Sequence, residues 1–350
     1  MSSERNYGID FLRFVFMYMV CMLHTLGQGG ILDSTLPGSI DYKVFWLLEI
    51  FSYCAVDGFV LISGYMANPK PRKYEKLVEM WFQVFFYSFI VSVILIIAGV
   101  NITWGAFEFF IAALPVVSQK FWFFTSYFCL FLSTPILNRF LFAIDEKTAK
   151  KVFIIILFMF SFTGIAADPF ITTRGRSSIW LIVLYCLGVL AKRIHLFETR
   201  KSITLTILWL MCIFGTWVVH TMFGLNNLTG YVSPTVLFSG LIMVILFSRI
   251  KFKGTIISKL SPLVFGIYLL QNNEIIWEIV LKDAFVFVVN NPIPIGVLLV
   301  FIIALGIFAS GLIVEFLRTN LAKLLKISVL SKKIVLLCDT LLGKVSVLLK

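Results

Sequence analysis

Long apolar runs constrain the fold of this chain more than any other feature. Of its 350 residues, 60% are hydrophobic and only 14% are charged, and the mean hydropathy is +0.98. A run of about 20 apolar residues is long enough to cross the hydrocarbon core of a bilayer as a helix. About ten such runs occur, near residues 9–27, 44–66, 77–99, 121–143, 152–168, 177–192, 203–222, 231–249, 263–283 and 293–317. The sequence therefore predicts an all-α, polytopic membrane protein with about ten transmembrane helices.

The lysines and arginines are divided unevenly between the predicted loops. Four alternate loops are rich in bases, within residues 70–76, 139–151, 192–201 and 249–259. The opposite loops hold only Lys43, Lys120, Arg174, Arg176 and Lys282. Because cytoplasmic loops of membrane proteins are enriched in Lys and Arg, this pattern predicts that both termini are cytoplasmic and that the number of crossings is even. The net charge of +12 is thus a topology signal, and no nucleic-acid partner is expected.

One transmembrane domain, residues 1–320, and a basic tail, residues 321–350, account for the chain. The tail interleaves apolar residues with lysines, which predicts an amphipathic helix on the anionic cytoplasmic leaflet. Residues 104–117 form an apolar segment too short to cross, so we expect it to be re-entrant or interfacial. The six cysteines and three histidines lack metal-ligand spacing, and no metal is predicted.

A polar stripe runs along the first apolar segment. Arg13 and His24 are eleven residues apart, which returns a helix to nearly the same face after a rise of roughly 16 Å. Asp10 falls on that face as well. Ionisable groups inside a membrane are costly and commonly functional. His24 is a candidate general base, and the alternative is a histidine at the membrane interface. Arg13 is a candidate for recognition of an anion or a thioester, and the alternative is a side chain that snorkels to the lipid headgroups.

Two acids fall near the middle of predicted helices. Asp57 and Glu274 are candidate partners of Arg13, as Asp10 is, and the alternative is a buried ion pair that fixes helix register. If Asp57 lies beside His24, it stabilises the charged imidazole.

Several segments together resemble the acyltransferase-3 family of integral-membrane O-acyltransferases. Arg13 and His24 resemble its Arg-x10-His signature, and the residues around His24 resemble the branch that modifies surface polysaccharides. Further similar segments are residues 23–30 (LHTLGQGG), 55–65 (AVDGFVLISGY), 72–76, 121–135 with Asn138, 177–193 and 261–268. Two positions depart from the family pattern: Gln271 stands where a histidine is often found, and Asp57 stands where many relatives have a neutral residue.

The resemblance implies transfer of an acyl group, most often acetyl, from cytoplasmic acyl-CoA to a hydroxyl of an extracytoplasmic or lipid-linked polysaccharide. Acetyl-CoA would be the donor, with membrane lipids and a surface glycan or lipid-linked oligosaccharide as further partners, in a bacterial cytoplasmic membrane. By the resemblance, His24 activates the hydroxyl and Arg13 engages the donor.

Six further residues are candidates for binding the donor or the acceptor. Arg72, Lys73 and Lys76 are candidates for the CoA phosphates, although such bases also set topology. Trp122, Tyr127 and Tyr268 are candidates for lining a sugar or pantetheine channel, although aromatic residues also face lipid.

Two other functions compete with the enzyme. A transporter or flippase of a lipid-linked saccharide would use the polar stripe as a binding path, and an assembly factor would use its charges only structurally.

Overall fold

Helices account for nearly all of the regular structure of this protein. The structure is a computed structural model that describes residues 5–70, 73–100 and 104–348, without the side chains of Ala166 and residues 343–348. No strand occurs in these described ranges. The α-helices are α1 (Tyr7–Leu23), α2 (Ile40–Tyr65), α3 (Tyr74–Phe85), α4 (Val91–Ile97), α5 (Ala106–Ala113), α6 (Trp122–Ala143), α7 (Glu146–Ile156), α8 (Thr163–Ala166), α9 (Ser178–Arg193), α10 (Ser202–Phe223), α11 (Pro234–Ser248), α12 (Thr255–Leu260), α13 (Val264–Gln271), α14 (Glu274–Ile276), α15 (Ile293–Leu324) and α16 (Ile327–Leu348).

Within the described part of the chain, seven helical stretches are long and apolar enough to cross a membrane. They are Tyr7–Gln28, Ile40–Tyr65, Tyr74–Ile97, Trp122–Ala143, Glu146–Ile165, Ser202–Phe223 and Ile293–Leu324. Each coincides with one of the predicted apolar runs. The remaining predicted runs correspond to shorter helices, α9, α11 and the broken segment α12 to α14. The all-helical prediction is confirmed, and ten crossings with cytoplasmic termini stay a prediction.

The ninth predicted run is interrupted, which the apolar pattern alone did not indicate. A 3-10 turn at Ser261–Leu263 separates α12 from α13, and residues 272–273 separate α13 from α14. The side chain of Asn273 accepts hydrogen bonds from the backbone of Ile275 and Ile276 and so caps the next turn. A buried asparagine that satisfies freed backbone groups makes such a break tolerable in an apolar setting.

Helices α2 and α9 approach each other closely. A Cβ atom added to Gly64 would lie 2.2 Å from the carbonyl oxygen of Tyr185, and one added to Gly188 would lie 2.5 Å from that of Leu61. Small residues allow helix backbones to approach this closely, which is how helices gain packing energy inside a membrane. The two helices therefore form a tight pair beside α1.

A buried polar network fixes α15 against α3. The carboxylate of Glu315, 1% exposed, accepts hydrogen bonds from Gln83 at 3.1 Å, Tyr87 at 2.8 Å and Arg318 at 2.7 Å. A charge in a low-dielectric interior is stable only when paired and hydrogen-bonded, as it is here. The network holds α3 in place, and α3 contributes to the cavity described below.

The tail forms a helix, as its pattern predicts, and this helix packs against α3. Helix α15 ends at Leu324, and Lys326, with φ of 52°, turns the chain into α16. Ser331 of α16 is fully buried, whereas Lys332 and Lys333 are exposed. The placement of this helix on the cytoplasmic leaflet stays a prediction.

The same substitution at two glycines tests the packing of α2 against α9. We expect Gly64→Ala to destabilise the protein by about 1–3 kcal/mol, because overpacking against backbone forces the helices apart. Gly306→Ala should leave the melting temperature unchanged or slightly higher, since nothing lies within 4 Å of its added Cβ. Thermal unfolding of both variants in detergent measures the difference, and equal melting temperatures would refute the close packing.

Candidate active site

One large cavity brings together six of the residues predicted from the sequence. It has a volume of about 910 Å³, at the upper end of the range for small-molecule sites. The predicted residues that line it are Arg13, His24, Lys76, Trp122, Tyr127 and Tyr268. We call it the central cavity. Arg13 and His24 therefore both reach the same space.

Arg13 is held at its end of the central cavity by Asp10. Its guanidinium donates to the Asp10 carboxylate at 2.6 Å, and Arg5 donates to the same carboxylate at 2.5 Å. Asp10 is 4% exposed and also accepts a hydrogen bond of 3.3 Å from Ser261. The partner acid of Arg13 is thus the near neighbour on its own helix, one turn away.

His24 begins a π-helical turn, His24–Gln28, that continues α1. The wider turn is a feature that often marks functional sites in helices. Its Nδ1 atom lies 2.9 Å from Oε1 of Gln271, and its ring meets the edge of Trp277 at a centroid distance of 5.0 Å and an angle of 85°. Two contacts from the ninth apolar segment therefore fix the imidazole plane.

The contact with Gln271 determines which imidazole nitrogen carries the proton. Oε1 of an amide only accepts hydrogen bonds, so Nδ1 of His24 must donate. The amide nitrogen of Gln271 faces sulfur acceptors instead, Sγ of Cys21 at 3.6 Å and Sδ of Met17 at 4.0 Å. Nε2 of the neutral imidazole is left without a proton, which is the form a general base needs.

The expected pairing of Arg13 with Asp57 or Glu274 is wrong. Asp57 is 1% exposed and accepts a 3.0 Å hydrogen bond from the indole nitrogen of Trp180, while its neighbour Val56 lines the central cavity. Glu274 is exposed and pairs with Lys120. Position along a helix predicts the depth of an acid, but it does not give the direction in which the side chain points.

The predicted basic residues at the start of α3 have different positions. Arg72 lies outside the described residues. Lys73 is exposed and precedes the first turn of α3, whereas Lys76, one turn further, lines the central cavity.

Polar residues that were not selected from the sequence as site residues also line the central cavity. Four of them are Glu49, Tyr53, Arg176 and Tyr231. Glu49 was recognisable as an intramembrane acid and Arg176 as one of few bases on its side of the predicted topology. The sequence does not distinguish the two tyrosines as site residues, because the chain contains 11 tyrosines and 37 phenylalanines.

Comparison with known protein families identifies the chain. A family model described as an acyltransferase domain matches residues 6–314, which is nearly the whole chain. The chain belongs to the acyltransferase-3 family. No curated protein and no solved structure matched it. The family and the apolar helices together make it an integral-membrane acyltransferase.

Replacing Gln271 tests whether it positions His24 in this acyltransferase. Gln271→Leu removes the acceptor for Nδ1–H of His24 and leaves this buried N–H group unpaired. The loss of the hydrogen bond costs about 1–3 kcal/mol of free energy. We expect acyl transfer in membrane vesicles to fall about 10- to 100-fold.

Gln271→Glu keeps an acceptor oxygen and serves as the matched variant. Its loss of acyl transfer should be smaller than that of Gln271→Leu. Equal rates for the wild type and Gln271→Leu, at equal protein abundance, would exclude the positioning role.

Proposed function

We propose that this acyltransferase moves an acyl group, with acetyl-CoA as donor, from the cytoplasm to a hydroxyl of an extracytoplasmic or lipid-linked polysaccharide. The observation that carries the proposal is the central cavity, which Arg13 and His24 both line, with Nδ1 of His24 2.9 Å from Oε1 of Gln271. Ten crossings with cytoplasmic termini in a bacterial cytoplasmic membrane belong to the same proposal. No metal takes part in the proposed reaction.

The orientation of the cavity supports a donor and an acceptor that arrive from opposite sides. Lys76 and Ser261 line the cavity and lie next to two of the base-rich loops, which the positive-inside rule assigns to the cytoplasm. Gln28 follows the C-terminal end of α1, and Arg176 precedes the N-terminal end of α9. Both residues line the cavity on the side opposite to those loops. The thioester would therefore enter past Lys76 and Arg13, and the hydroxyl would approach His24 from the other side.

The proposed chemistry needs one base and no covalent enzyme intermediate. Nε2 of His24 takes the proton of the acceptor hydroxyl while the hydroxyl oxygen attacks the thioester carbonyl carbon. The C–O ester bond forms, the C–S bond breaks, and the imidazolium returns the proton to the leaving CoA sulfur. Arg13 binds the anionic donor, and Gln271 stabilises the imidazolium through its Oε1 atom.

His24→Ala is the direct test of this function. General-base catalysis contributes about 10²- to 10⁴-fold, so we expect alkali-labile acetate on the surface polysaccharide to fall to background. The measurement uses a strain lacking the gene, complemented with wild type or variant at equal membrane abundance. His195→Ala is the matched control, because His195 is exposed and pairs only with Glu198 among the described residues.

Restored acetate with His24→Ala would contradict the catalytic assignment. Saccharide transport that continues without acyl-CoA would instead favour the flippase.

Two lysines three residues apart provide a second test, directed at the donor. Lys76→Gln should raise the KM for acetyl-CoA about 10-fold or more, because Lys76 lines the cavity at its basic end and would contact the CoA phosphates. Lys73→Gln should leave KM unchanged, since Lys73 does not line the cavity. Initial rates in inside-out vesicles give both constants, and equal KM values for the two variants would refute this entry route.

A further inference from the structure

The end of the central cavity near His24 contains polar groups that the transfer chemistry does not use. Glu49 comes from α2, Arg176 from the loop before α9, and Tyr231 from the loop before α11. Arg176 is close enough to His24 to act on it electrostatically, and Arg176 and Glu49 both act on the hydroxyl of Tyr53. These groups therefore line the same part of the cavity as the candidate base.

Glu49 presents an unsatisfied carboxylate oxygen at this end. The residue is 7% exposed, and its Oε2 atom has no hydrogen-bond partner among the described residues. A buried polar atom without a partner is uncommon and costs about 1–3 kcal/mol. Since Glu49 also lines the cavity, a hydroxyl donor on a bound molecule is the partner that its position fits.

Hydrogen bonds within its loop hold Arg176 at the cavity. Asp168 accepts hydrogen bonds from the backbone nitrogens of Thr172, at 2.7 Å, and Thr173, at 2.6 Å. Burial raises the pKa of Asp168, but these hydrogen bonds outweigh it and lower the pKa below its ordinary value. The backbone nitrogen of Tyr231 donates to the carbonyl oxygen of Arg174 at 3.2 Å, which joins the loop to the segment before α11.

Glycine is required next to Arg176. Gly175 has a φ of 96°, and an added Cβ would lie 2.4 Å from Cβ of Tyr231. The loop thus passes against Tyr231 in a conformation that other residues rarely adopt. A loop built at this conformational cost around a cavity residue is a common feature of functional sites.

The guanidinium of Arg176 shares a hydrogen bond with the hydroxyl of Tyr231, and its other N–H groups can serve a ligand. Its central carbon lies 6.0 Å from the ring centre of Tyr231, and it takes part in none of the described ion pairs. The rings of Tyr231 and Trp122 are nearly parallel, with a centroid distance of 6.5 Å and an angle of 21°. Arg176 therefore supplies a planar fork of donors beside aromatic faces.

The chemistry of this end favours a neutral sugar over an anion. Glu49 and Arg176, which differ in formal charge, both lie near Tyr231. A carboxyl group accepts from two adjacent hydroxyl groups, a guanidinium donates to two oxygens, and an aromatic ring covers an apolar face. An anionic group here would bring a further acceptor to the unpaired oxygen of Glu49, which needs a donor.

We propose that Glu49, Arg176 and the ring of Tyr231 form a subsite that binds a neutral sugar residue of the acceptor through adjacent hydroxyl groups. This inference rests on the proposed function, because it names the class of acceptor that His24 would serve. The subsite holds the sugar ring and leaves the reacting hydroxyl to His24.

Binding without turnover tests the subsite. Saturation-transfer NMR is recorded on the purified full-length protein in detergent micelles, with methyl glycosides of glucose, galactose, mannose, rhamnose and N-acetylglucosamine as probes and butan-1-ol as the non-sugar control. At least one glycoside should bind to the wild type and to His24→Ala. Glu49→Gln and Arg176→Gln should each raise its Kd at least 10-fold.

Matched controls and a transfer assay separate the outcomes. Glu198→Gln and Arg139→Gln change the same residue types at exposed positions and should bind the glycoside as the wild type does. No glycoside binding to the wild type, or unchanged Kd in both subsite variants, would overturn the subsite. Glycoside binding that depends on Glu49 and Arg176, without acetyl transfer from acetyl-CoA by the wild type, would sustain the subsite and overturn the proposed function.

Discussion

The interior of a membrane contains no water to solvate an ionised side chain. Each charge inside this protein therefore needs a partner within the protein or a cavity that admits water. Asp10 has two arginines, and Glu315 has a guanidinium, a phenol and an amide. Arg13 and Glu49 reach the central cavity. Since unpaired charge in a low-dielectric medium costs several kcal/mol, these arrangements determine which helix faces meet. The central cavity is one consequence, because Arg13, His24, Glu49 and Arg176 all line it.

Close packing elsewhere keeps that space open. Lipid chains are as apolar as the helices they surround, so helices associate through contact rather than through exclusion of water. At Gly64 and Gly188 the backbones of α2 and α9 touch, and Glu315 fixes α15 to α3. These rigid contacts support a cavity that side chains would otherwise fill.

The sequence predicted the helices and the shared face of Arg13 and His24, because both depend on local periodicity. It did not predict which acid pairs with Arg13, since helix depth says nothing about the azimuth of a neighbouring helix; the partner is Asp10, not Asp57 or Glu274. Gln271 was recognisable only as a departure from a family pattern, and its contact with His24 spans 247 positions. Arg176 lies in an irregular loop, where no periodic pattern exists to reveal its direction.

The junction between the first and ninth apolar segments has a consequence for biosynthesis. Besides the contact of His24 with Gln271, the carbonyl oxygens of Gln28 and Gly29 accept from the backbone nitrogens of Asp283 and Phe285, each at 3.0 Å. A chain grows at about 5–20 residues per second, so Gln271 is synthesised roughly 12 to 50 s after His24. During that interval His24 lacks the acceptor that orients its ring. The candidate base is therefore among the first residues to be synthesised, and the contact that positions it is among the last to form.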